Sequence, residues 1–187
     1  MLETINLTNH FLIAMPNLAD PNFYQTVTYI CNHTADGAMG IIINRPILDV
    51  DLGDVLRHMT ITVTDHSSVF LPVFEGGPVQ RERGFVLHSP VGSWDSMLTV
   101  GELGITTSRD ILTAIAKGDG PKQVLIALGY AGWAAGQLEK ELLSNAWLII
   151  PADNNIIFNT PPEKRWKAAA SKLGIDLNLL SSEAGHG

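Results

Sequence analysis

The 187-residue chain has one cysteine, Cys31, and so cannot close an internal disulfide. Cys31 lies in the run Val27-Thr28-Tyr29-Ile30-Cys31, where a small buried core residue is the expected role, ahead of a nucleophile or metal ligand. Long apolar runs are also missing. The stretches near Phe11–Met15, Ile41–Ile43, Val124–Leu128 and Trp147–Ile150 fall far short of the roughly 20 residues of a membrane-spanning helix. The opening Met1-Leu2-Glu3-Thr4 lacks the basic stretch, apolar segment and cleavage site of a secretory signal, so a soluble, cytoplasmic protein with no membrane partner is expected. Positive charge is scarce: the formal net charge is -7, and Arg45 is the only Lys or Arg from Met1 to Leu56. Nucleic-acid binding relies on Lys and Arg displacing counterions from phosphates, which disfavours direct nucleic-acid binding here.

No repeat, low-complexity stretch or long linker divides the sequence, and one domain over residues 1–187 is expected. Strand-like and helix-like segments are interleaved, which places the chain in the α+β or α/β class. His10–Met15, Gln25–Asn32 and Ala38–Asn44 read as strands, the last two joined as a hairpin through a turn at Asp36-Gly37 with a loop longer than the tightest type. Leu52, Val55, Leu56 and Met59 recur at helical spacing behind Asp51, a suitable cap. Val69–Phe74, Gly84–His88 and Gln123–Leu128 read as strands, and Ser108 to Lys117 as a helix stopped by Gly118. After a turn at Gly129-Tyr130-Ala131-Gly132, a helix is expected from Trp133 to Leu143, with Gln137, Glu139, Lys140 and Glu141 on its polar side. Trp147–Ile150 and Ile156–Phe158 read as strands about a turn at Asp153-Asn154-Asn155. Thr160-Pro161-Pro162-Glu163 has the form of a capping box opening a helix to Leu173, ended by Gly174 and followed by a polar, mobile Ser181–Gly187. About four helices result.

The signatures of known chemistries are absent. Gly129, Gly132 and Gly136 lack the spacing of a dinucleotide fingerprint, no Lys-Ser/Thr pair completes a P-loop, and no serine sits at the turn as in a nucleophile elbow. What remains at 129–136 is a strand, a Gly-rich turn and a helix start, an arrangement able to hold an anion on backbone N–H groups; close packing of Gly132 and Gly136 beside Trp133 accounts for the same residues. Glu75-Gly76-Gly77-Pro78, followed by Arg81 and Arg83, presents a carboxylate beside two permissive glycines, or simply turns the chain. Asn44-Arg45-Pro46 ends a strand, where Arg45 offers a fork for a carboxylate or phosphate, or pairs with a local Asp. His10, His33, His58, His66, His88 and His186 show no HExxH and no spacing shared with cysteines, so no metal site is assigned. His88 alone, at a strand end, suits acid–base work, though a hydrogen-bonding role is the commoner one. Lys164-Arg165-Trp166-Lys167 fits a surface helix anchored by a core Trp better than a nucleic-acid patch, its bases falling mainly on the solvated face.

Phe11-Leu12-Ile13-Ala14-Met15-Pro16, Gly37-Ala38-Met39-Gly40 through Asn44-Arg45-Pro46, Glu75-Gly76-Gly77-Pro78-Val79, and Leu128-Gly129-Tyr130-Ala131-Gly132-Trp133 through Gly136-Gln137-Leu138-Glu139 occur in this order. In these four motifs, and in Trp147-Leu148 and Gly185-His186, the chain resembles the bacterial YqgE/AlgH family over nearly its whole length. The resemblance implies a compact α+β fold with a mixed, strongly bent or partly barrel-like sheet. The family is uncharacterised, and its name carries a proposed regulatory role in alginate production and transcription. It supplies no catalytic residues, so none is assigned. The expectation is therefore a binding or regulatory protein rather than an enzyme, without cofactor, acting through protein contacts or a small anionic ligand; the alternative is an enzyme or metabolite binder with its anion site at 129–136. The candidate surface comprises Asn44, Arg45, Glu75, Gly76, Gly77, His88, Gly129, Tyr130, Gly132, Trp133 and Gln137.

Overall fold

The computed structural model describes residues 5–184, with side chains to residue 180. Among them are ten strands and six α-helices: β1 (His10–Ala14), β2 (Val27–Thr34), β3 (Gly37–Ile42), β4 (Pro46–Asp51), α1 (Leu52–His58), β5 (Pro72–Glu75), β6 (Val79–Ser89), β7 (Met97–Val100), β8 (Leu103–Thr106), α2 (Arg109–Lys117), β9 (Gln123–Ala134), α3 (Gln137–Leu143), β10 (Trp147–Pro151), α4 (Asn154–Phe158), α5 (Arg165–Ser171) and α6 (Leu177–Ala184). Eight strands follow one path, β10-β1-β2-β3-β9-β6-β8-β7, while β4 pairs with β5 and β5 lies parallel to β9. The fold is mixed α+β with a curled, half-barrel sheet, the expected class with six helices in place of about four.

β9 organises the sheet. Leu125 and Ala127 join the core shared with Phe11, Tyr29 and Trp166, while Ile126 points to the opposite face, against Leu112 and Ile115. Beyond Gly129 the alternation reverses: Tyr130 packs on the first core, and Ala131 and Trp133 enter a third cluster with Leu12, Ile30 and Trp147. Gly129 has φ 79°. The pairing of β6 with β9 jumps here from Gly84↔Leu128 to Val79↔Tyr130, a bulge that moves every later side chain to the other face. The expected turn at 129–132 is thus continuous strand, and the expected helix from Trp133 begins only at Gln137. Alternation at a constant period would not survive the bulge, so the sequence pattern breaks although the strand does not.

The first core fills the inner face and is closed by α4, α5 and α6 through Ile156, Ile157, Trp166, Ala169, Ala170 and Leu177. Trp166 donates from Nε1 to the carbonyl of Ala14 at 2.8 Å, tying α5 to β1. Arg165 is buried, against expectation. It donates to the carbonyls of Thr160 and Ile43 and lies 5.0 Å from the centre of the Phe74 ring. Burial draws its pKa down to about 10 despite Glu163 nearby.

Other local expectations change for local reasons. Thr34 pairs with Gly37, so the β2–β3 loop is the tight two-residue Ala35-Asp36. Pro46–Asp51 forms β4, Val69 belongs to a 3₁₀ turn at Ser68–Phe70, and β7 and β8 are strands that the sequence pattern did not reveal. Ile156–Phe158 is helical because Asp153 accepts from the amides of Asn155 and Ile156 and starts α4. Thr160 caps nothing; its hydroxyl donates to the Asn155 carbonyl, and a 3₁₀ turn at Pro162–Lys164 precedes α5. The backbone of 181–184 continues α6, while Gly185-His186 lies outside the described residues. Asp51 does cap α1, in a reciprocal box with Asp54.

Candidate functional site

The eleven sequence-derived candidates fall into separate groups. Asn44 accepts from the Val27 amide and donates to the Gln25 carbonyl, and Arg45 donates to the carbonyls of Asn22 and Tyr24 at 2.7 and 2.8 Å. Both therefore brace the loop that leads into β2. Trp133 and Gln137 belong to a cluster with Phe23 and Trp147: Phe23 stacks on Trp133 at 5.8 Å, and Gln137 accepts from the Ala134 amide at 3.0 Å. Gly132 faces outward from β9, and Tyr130 meets Phe85 edge-on at 5.9 Å.

Gly76, Gly77 and Gly129 mark a crossing of backbones. A Cβ on Gly76 would stand 2.4 Å from the Gly129 carbonyl oxygen, one on Gly77 2.1 Å from the Tyr130 carbonyl carbon, and one on Gly129 2.5 Å from the Gly77 oxygen. No side chain fits at any of the three. Glu75, at the end of β5, is 3.8 Å from Arg81. The helix start directly after Gly132, which the anion reading required, is absent; β9 runs through to Ala134 and α3 begins at Gln137.

His88 is fully buried on β6. Its Nδ1 is 3.1 Å from the Pro90 carbonyl, which can only accept, so Nδ1 carries the proton. Nε2 is then the acceptor for the Thr106 hydroxyl, 2.7 Å away. Desolvation holds the ring below the ordinary histidine pKa, with the Pro90 carbonyl opposing it. The ring lies over Gly104, where a Cβ would meet it at 2.2 Å.

Thr106 borders a feature that the sequence did not disclose. Between α1, α2 and the face of β6, β8 and β9 lies a cavity of ≈ 440 Å³. Its walls are Val55, Met59, Val86, Leu112, Ile126 and Leu128. Asp54, His58, Glu82, Thr107, Ser108 and Arg109 supply polar groups. Arg109 reaches from α2 to the end of α1, donating to the carbonyls of Met59 at 2.6 Å and Thr60 at 3.3 Å, and so holds the two helices at a set separation. Gly84 keeps the floor low: a Cβ there would meet only Leu128 Cδ2, at 4.0 Å. Gln80–Arg83, looped out opposite Gly129, carries Glu82 to the cavity's edge. Its lining residues are ordinary apolar helix and strand positions, so only an unfilled gap in packing distinguishes them. Among the described residues, no three His, Cys, Asp or Glu side chains are gathered as metal ligands, and no helix is long and apolar enough to cross a membrane.

Fold and site define a class: α+β proteins in which a half-barrel sheet closes one core inside and carries, on its outer face, an apolar cleft under two helices. A family model described as AlgH-like matches residues 11–178, and the chain belongs to that family. It is 59% identical over 187 residues to a UPF0301 protein of Thioalkalivibrio sulfidiphilus, covering 100% of both chains. A UPF0301 protein of Methylococcus capsulatus is 57% identical over 182 residues, covering 97% of this chain and 96% of its own. The solution structure of the AlgH protein from Pseudomonas aeruginosa superposes with a TM-score of 0.81 at 51% identity, over 100% of this chain and 99% of that one. A crystal structure from Corynebacterium diphtheriae shares the fold at 19% identity, with a TM-score of 0.74 over 97% and 94% of the two chains. The family's function is unknown.

Proposed function

We propose that this protein is a cytoplasmic binding protein with a regulatory role, and that its ligand is a small molecule with an apolar body held in the cleft between α1 and α2. The observation that carries this reading is the cavity of ≈ 440 Å³ walled by apolar side chains, within the range of about 300–1,000 Å³ usual for small-molecule sites. Filling it with packed side chains would be the stable solution for a purely structural domain, because unfilled apolar volume costs stability. Cys31 is a buried thiol raised by desolvation to about 12 and thus kept in its protonated, unreactive form, so it takes no part in the reading. An anion site at 129–136 has less support, since α3 begins at Gln137, Gly132 is paired with Met39, and Gly129 is packed against the Gly77 carbonyl.

Titration with the neutral dye N-phenyl-1-naphthylamine, followed by its fluorescence rise, tests the reading. Wild-type protein should bind it saturably. Gly84→Phe, whose Cβ would meet no backbone atom, should fill the cavity and abolish binding while leaving the folded state intact by circular dichroism. Absence of saturable binding, or equal binding by a folded Gly84→Phe variant, would overturn it.

A further inference from the structure

The polar groups around the cavity are almost all committed to one another. Thr106 is bound to His88, Thr107 donates to Ser96, and Ser108 donates to Asp110. Asp54 accepts from the Asp51 amide through one oxygen and is paired with Arg57 through the other. Arg109 directs both terminal nitrogens onto the carbonyls at the end of α1. Among the described residues, Glu82 and His58 are the lining side chains with charge or hydrogen-bonding capacity and no protein partner, and both are exposed.

Resting on the cavity as a small-ligand site, we propose that its occupant is an amphiphilic cation, whose apolar body lies against Val55, Met59, Val86, Leu112, Ile126 and Leu128 and whose amine or quaternary ammonium head meets the Glu82 carboxylate. The bulge opposite Gly129 is what places Glu82 there. An ammonium head needs no hydrogen-bond donor from the protein, and the donors left at the rim are the His58 ring and the Arg109 N–H groups not used on the carbonyls at the end of α1. An anionic head of the same size would face the Glu82 carboxylate, while Arg109, the guanidinium in the lining, is turned to main-chain carbonyls and Arg57 is paired with Asp54. The chain's net charge of -7 favours approach of a cation over an anion at long range.

The test is displacement of N-phenyl-1-naphthylamine by dodecyltrimethylammonium and by dodecanoate, each below its micelle concentration, from wild-type, Glu82→Gln, Glu82→Lys and Glu163→Lys proteins. Glu163, exposed before α5, gives the same charge change at a site outside the cavity lining. Since one exposed charge pair alters binding by about two- to fivefold, the cation should displace dye at a concentration lower than the anion by about that factor or more. Glu82→Gln should narrow the difference, Glu82→Lys should reverse it, and Glu163→Lys should preserve it. If the dye never binds, the cavity reading itself fails. If the dye binds but dodecanoate competes as well as the cation, or Glu163→Lys alters the preference as much as Glu82→Lys, the cation proposal fails and the cavity reading stands.

Discussion

Trp133 and Trp147 donate their indole N–H groups to the same oxygen, Oε1 of Glu141, each over 3.0 Å. The other carboxylate oxygen accepts from Gln137 at 3.0 Å, and Phe23 packs against both indoles. One side chain of α3 thus satisfies buried donors from β9 and β10 together, two strands that do not pair with each other. Arg45 holds the carbonyls on either side of Phe23. Motifs far apart in sequence therefore meet in one structural task, fixing the loop before β2 against the outer face of the sheet.

Glu141→Ala should leave two indole donors without an acceptor and cost about 2–4 kcal/mol, since each buried unsatisfied donor costs about 1–3 kcal/mol. Glu141→Gln keeps an acceptor oxygen and should cost less. Urea denaturation gives the stability difference, and the near-ultraviolet circular dichroism of the tryptophans should weaken in the alanine variant before any loss of secondary structure.

The glycines of the β5–β9 crossing should separate sharply from those that merely lie in the same motif. Gly129→Ala combines φ 79° with a Cβ 2.5 Å from the Gly77 oxygen, and should destabilise by about 3 kcal/mol or more, as strained backbone and overpacking each cost about 1–3 kcal/mol. Gly132→Ala meets only Tyr130 Cε2 at 3.6 Å and Val79 Cγ2 at 4.0 Å, and should fall within about 0.5 kcal/mol of wild type. Gly136→Ala has open space but φ 77°, and should cost about 1 kcal/mol. Equal effects at all three positions in thermal unfolding would contradict the bulge assignment.

These contrasts also mark what the sequence could disclose. β1, β2 and β3 were legible because Phe11, Tyr29 and Ile41 sit in dense β-branched and aromatic runs, and α1 because Asp51 precedes a helical apolar spacing. β9 was cut short at Leu128 because Gly129 reverses its alternation, a change indistinguishable from a strand end without the partner strand. α4 was read as a strand because Ile156-Ile157-Phe158 suits either state, and only the Asp153 cap decides between them. The family motifs were legible as residues but not as contacts: Arg45 ends on main-chain carbonyls, and Gln137 on the Ala134 amide and the Glu141 carboxylate, none of which a pattern specifies. The cavity had no signal at all, being a shortage of side-chain volume around Gly84 rather than a sequence of particular residues.

His88 should make stability depend on pH near neutrality. Desolvation lowers its folded-state pKa below the ordinary value of 6.5, which the unfolded chain retains. The unfolded state then binds the proton more readily, so the stabilising contribution is fully present above pH 6.5 and declines as pH falls toward the lowered pKa. Each pH unit of that interval is worth about 1.4 kcal/mol. Urea midpoints measured from pH 7.5 down to pH 5 should fall in the wild type. His88→Gln, which does not titrate, should be less stable at pH 7.5 yet flatter over the same range; parallel profiles would exclude His88 as the source.

Arg165 offers the last and most severe test of the inner core. Its guanidinium is buried beneath the sheet, where it satisfies the carbonyls of Ile43 just after β3 and Thr160 before α5, with its central carbon over the Phe74 ring. Removing it strands two acceptors, whereas shortening it keeps the charge but loses the fork. Arg165→Met should therefore destabilise by about 2–4 kcal/mol, the combined scale of two buried unsatisfied groups less the relief of a desolvated charge. Arg165→Lys should fare little better, because an ammonium cannot span both carbonyls in the guanidinium plane and is more strongly hydrated in the unfolded chain. Exposed Lys167, two residues on, provides the comparison: Lys167→Met should change stability by less than about 0.5 kcal/mol. Near-equal urea midpoints for the position 165 and 167 variants would show that Arg165 is not the tie between β3 and the closing helices.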